Sequence, residues 1–78
     1  MNRRRRARLQ EASSLLSKAL EIVDDAREEE QESVDNCPEN LQSSERYYAM
    51  EDAVIELEEA IDKIQEASEH IDRACDSG

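Results

Sequence analysis

MEDAVIELEEAIDKIQEASEHIDRAC, residues 50–75, places Met50, Val54, Leu57, Ile61, Ile64, Ser68, Ile71 and Cys75 at steps of 4, 3, 4, 3, 4, 3 and 4. At 3.6 residues per turn such steps return a side chain to one face of an α-helix. A strict seven-residue repeat implies a left-handed, coiled-coil-like seam against another helix. Beside it Ala53, Ala60, Ala67 and Ala74 recur every seven residues, small side chains that let a neighbouring helix approach closely.

Upstream, Asp35-Asn36-Cys37-Pro38 contains the chain's only Pro, and Asn36 tolerates left-handed backbone. A first helix is therefore expected to stop near Val34. Pro38-Glu39-Asn40-Leu41 suits one isolated helical turn, and Ser43 or Ser44 offers an N-cap, with Glu45 favourable to the helix dipole. Further back, Leu9, Ala12, Leu16, Ala19, Val23 and Ala26 are spaced 3, 4, 3, 4 and 3. Leu15, Leu20 and Ile22 widen that stripe beyond what one partner helix would cover. From Arg27 to Ser33 the stripe stops, its positions taken by Glu30 and Ser33.

The pattern predicts one all-α domain over residues 1–78: helix 1 over about 3–34, a linker over about 35–43 and helix 2 over about 44–75. Joined by so short a loop, the helices should fold back as an antiparallel hairpin. With the loop centred near Pro38–Glu39, Leu16 would meet Ile61, Val23 would meet Val54 and Ala12 would meet Ile64.

Seventy-eight residues with no Phe or Trp cannot enclose a large core. One Gly and one Pro leave too little turn punctuation for a many-stranded β fold. No apolar run is long enough for a membrane span or a signal-peptide core, and two cysteines are too few for a disulfide scaffold, so a cytoplasmic setting is expected. A lone helix pair has only one mutual face. Homo-oligomerisation is the expected completion, as a dimeric four-helix bundle or a larger assembly.

Charge is polarised. Ten bases against 21 acids give −11 overall, yet residues 1–10 hold five Arg and no acid. Arg3, Arg4, Arg5, Arg6 and Arg8 are thus candidates for binding phosphate or an acidic surface. The bland reading is local neutralisation, because the hairpin sets this tip beside Glu66, Glu69, Asp72 and Asp76. Tyr47 and Tyr48, with Met50 and Leu41, form a candidate partner patch opposite the stretch where helix 1 loses its stripe. Their bland role is to close the loop end of the bundle. Asp24–Asp35 carries seven acids and one Arg, either a solvated face or a mimic of a nucleic-acid backbone.

Catalytic and metal chemistry find little purchase. Di-iron bundles need a Glu-x-x-His pair on each of two helices. Here His70 is the single histidine and the residue three before it is Ala67. Cys37 and Cys75 should lie more than about 40 Å apart at helical rise, too far for a disulfide. There is no Gly-rich loop or Ser-His-Asp set, so no enzyme activity, cofactor or metal is expected. Net negative charge beyond the tip argues against direct DNA binding.

The run Asp35-Asn36-Cys37-Pro38-Glu39-Asn40-Leu41-Gln42-Ser43-Ser44-Glu45-Arg46, followed by Met50-Glu51-Asp52-Ala53-Val54, resembles small acidic helical-hairpin proteins encoded by phages, prophages and mobile elements of Firmicutes. The resemblance implies a phage or mobile-element accessory protein. Three functions are then in play. The first is a non-catalytic homo-oligomer that binds and inhibits or sequesters a host defence component. The second is a small-nucleotide sponge using the basic tip of one protomer and Tyr47/Tyr48 of another. The third is an acidic nucleic-acid mimic.

Overall fold

Asn2 starts the first helix. Its Oδ1 accepts the Arg5 N–H at 2.8 Å and its backbone carbonyl accepts that of Arg6 at 3.0 Å, which satisfies two otherwise orphaned donors. In this computed structural model, which describes residues 1–77, α1 runs Arg3–Asp35 and α2 runs Glu45–Ser77. The first turn of α1 holds four arginines and no acid, against the helix dipole.

The stop of α1 differs from expectation. Asn36 caps it at φ −90°, ψ 1°, and no described residue has positive φ. The break comes from Pro38, which has no N–H to continue the ladder and sits extended at φ −60°, ψ 144°. A single 3-10 turn, Glu39–Leu41, follows. Gln42 Nε2 donates to the Cys37 carbonyl at 3.1 Å and ties the two sides of the loop together.

Inward-facing positions alternate 3 and 4 along both helices. On α2 they are Tyr47, Met50, Val54, Leu57, Ile61, Ile64, Ser68, Ile71 and Cys75, the seam read from the sequence extended by Tyr47. Val54, at 6% exposure, is the buried member and the rest are half-buried. On α1 they are Arg6, Leu9, Ser13, Leu16, Leu20, Val23, Arg27, Glu30 and Val34. The expected α1 seam is thus corrected. Ser13, Leu20 and Arg27 turn inward, while Ala12 and Ala19 move to its flank and Ala26 is exposed. Leu20 buries more apolar surface than Ala19 could, so the larger side chain sets the rotation.

Register is corrected too. Ile61 shares a groove with Leu20 and Asp24, and Val54 shares one with Gln31 and Val34, each further along α1 than the expected partners Leu16 and Val23. The result is a rod of 59 × 15 × 13 Å. Among the described residues, no helix is long and apolar enough to cross a membrane.

Candidate interaction surfaces

The loop end is where apolar groups gather without cover. Ser44 Oγ accepts the Tyr47 N–H, so α2 starts with Tyr47 on the seam and Tyr48 about 100° further round. A cavity of about 520 Å³ opens there, lined by Ser33, Cys37, Leu41, Ser44, Arg46, Tyr47 and Met50. The two tyrosine rings meet edge to face at 5.9 Å.

The structure divides the candidate patch. Tyr47 and Met50 are half-buried on the seam and face the cavity. Tyr48 and Leu41 point outward at 52% and 49% exposure. Ile55, 60% exposed, joins Tyr48 on the back of α2 one heptad along. Sequence reading missed Ile55, although its seven-residue separation from Tyr48 was the available signal.

Burial holds the Tyr47 phenol above its ordinary value of 10.0. The Glu51 carboxylate adds to the shift by charge and by hydrogen bonding, and Cys37 and Asp35 add to it by charge. Cys37 and Cys75 are both free thiols at opposite ends of the rod.

At the other end the arginines also part company. Arg4, Arg5 and Arg8 line a recess with Asn2. Arg6 is half-buried on the seam face of α1, its Nε buried without a hydrogen-bond partner. Arg3 is exposed. Among the described residues none of the five is ion-paired. The α2 acids are served along their own helix: Glu66 by Lys63 at 3.6 Å and Glu69 by Arg73 at 3.4 Å. Neighbours one turn away on the same helix reach each other with less ordering than groups on separate helices.

The acidic run of α1 engages a single cation. Arg27 Nε reaches Asp24 Oδ1 at 3.4 Å and its Nη2 reaches Glu28 Oε1 at 3.8 Å. His70 is exposed, and among the described residues no group of three or more His, Cys, Asp or Glu is placed to hold a metal ion. Neither protein-family models, nor curated proteins, nor solved structures include a match to this chain.

Proposed function

We propose that the chain is a non-catalytic, homo-oligomeric interaction protein. It acts as a phage or mobile-element accessory factor that binds and inhibits or sequesters a host component. The observation that carries this reading is the loop end. Leu41 in the loop and Tyr48 and Ile55, one heptad apart on the back of α2, are three of the five exposed large apolar side chains among the described residues. Tyrosine with aliphatic neighbours beside a cavity is the composition of a binding anchor.

The test is affinity capture from the native host, with wild type compared against a Tyr48→Ala, Ile55→Ala double variant. An enriched host protein that is lost with the variant, while helix content is kept, supports the reading. Equal capture by both chains removes the patch from it.

A second reading is favoured by one observation, the recess of Arg4, Arg5 and Arg8. Here the protein is a nucleotide sponge, with that recess facing Tyr47 and Tyr48 of another protomer. Small molecules released from the captured protein distinguish the two, since a bound nucleotide supports the sponge.

A further inference from the structure

The two ends of the rod carry opposite charge, and neither charge is spent within the hairpin. At the tip Arg3, Arg4, Arg5 and Arg8 are exposed, and three of them line one recess with Asn2. Of the α2 acids at that end, Glu66 and Glu69 are engaged by Lys63 and Arg73 of their own helix. At the loop end, residues 28–52 hold nine acids and one base, Arg46. Among the described residues Glu28 alone of those nine is ion-paired, to Arg27.

Neither set of charges serves the helix that bears it. The first turn of α1 has no acid and its last turn no base, so both of its ends oppose its dipole. Nor can one end answer the other within a single chain. A helix of 33 residues holds them about 50 Å apart. Salt screens charge over about 8 Å at physiological ionic strength. A second copy brings the two ends together.

The loop end also has a shape that suits arginine. Its cavity of about 520 Å³ has Leu41, Tyr47 and Met50 in its wall. Glu32 and Asp35 bracket Ser33 of the lining, and Asp35 and Glu51 lie close enough to Tyr47 to act on its phenol by charge. An apolar wall under carboxylates matches an aliphatic stem that ends in a planar cation. That cation stacks on an aromatic ring and offers a carboxylate paired donors. All five bases of the tip are arginine, while the two lysines, Lys18 and Lys63, lie elsewhere. Arg46 is the one like charge in the cavity wall.

We infer that the arginine tip of one copy docks on the loop-end cavity of another, with Arg4, Arg5 and Arg8 reaching the partner's Glu32, Asp35 and Glu51. This rests on the homo-oligomeric reading above and names a contact and its occupant, a second copy of this chain. The contact joins unlike surfaces, so it extends head to tail unless two copies lie antiparallel and make it twice.

Charge reversal on the full chain tests it. Arg4→Glu with Arg5→Glu gives α1 an acidic first turn, and Glu32→Lys with Asp35→Lys gives it a basic last turn. Both changes favour the helix dipole, so helix content should be kept. At low salt each double variant should raise the dissociation constant for self-association at least about tenfold, read by sedimentation equilibrium. An equimolar mixture of the two should recover association, since reversed tip then meets reversed loop end and native tip meets native loop end. Association indifferent to either reversal, or weakened without rescue in the mixture, overturns this contact and leaves homo-oligomerisation standing. So does association that appears only on adding inorganic triphosphate, which would assign the tip to a phosphate ligand. A wild-type monomer at micromolar concentration, with or without triphosphate, would sink both the contact and the homo-oligomeric reading.

Discussion

Ser44 and Tyr47 are joined by the hydrogen bond that sets the phase of α2. The Tyr47 N–H donates to Ser44 Oγ at 3.2 Å, while the same hydroxyl donates to the Leu41 carbonyl at 2.8 Å. One side chain thus closes the 3-10 turn and opens the helix, and thereby decides which tyrosine faces the seam.

Replacing that cap has a defined cost. Ser44→Ala should lower stability by about 1 kcal/mol, and Ser44→Asp should retain most of it. Urea melts followed by circular dichroism measure both. A loss no larger than that of Ser43→Ala, one residue upstream and exposed, would show that the hydroxyl does not start the helix.

The tyrosines should separate packing from binding. Tyr47→Ala removes a half-buried ring from the seam and should cost about 2 kcal/mol, less than for a fully buried aromatic. Tyr48→Ala should change stability by no more than about 0.5 kcal/mol and weaken partner capture instead. Greater destabilisation by Tyr48→Ala than by Tyr47→Ala contradicts the observed phase of α2.

Ser13 should be the easiest place to gain stability. Its Oγ is buried on the seam face of α1 with no hydrogen-bond partner. Ser13→Ala removes an unsatisfied hydroxyl and adds helix propensity, together about 1 kcal/mol of stabilisation. Thermal melts should show a higher midpoint. An unchanged or lower one means the hydroxyl finds a partner in solution.

Alkaline titration should single out Tyr47. In a Tyr48→Phe chain the remaining phenol should ionise above 10.0 by ultraviolet difference absorbance, since burial first and the Glu51 carboxylate second disfavour its anion. The folded value is raised, so this contribution to stability is fully present below the unfolded value. It is lost as pH rises through the folded value. Glu51→Gln should bring the titration back down. Titration at or below the ordinary value would show the ring to be solvated.

Some of this was legible without coordinates. The α2 seam from Met50 to Cys75 could be read residue by residue, because large aliphatics recur there at seven-residue spacing with little competition from their flanks. The α1 seam could not. Helix 1 carries Leu15, Leu20 and Ile22 on both flanks of Leu16 and Val23, so more than one rotation satisfies the spacing. Only the partner helix selects Leu20 over Ala19. The same surplus leaves Leu15 and Ile22 outside. For the arginine tip, composition showed the charge, while packing divided it into one seam residue, Arg6, and an outer recess.

What the chain determined by itself is local: two long helices, the Pro38 break and the inward face of α2. Backbone sterics and a periodic apolar pattern suffice for these, and both act within a few turns. The tertiary structure alone decided the rotation of α1 and which of its residues share a groove with Val54 and Ile61. Those depend on the shape of the loop and on which of several adequate apolar faces meets the other helix, a comparison between segments far apart in sequence.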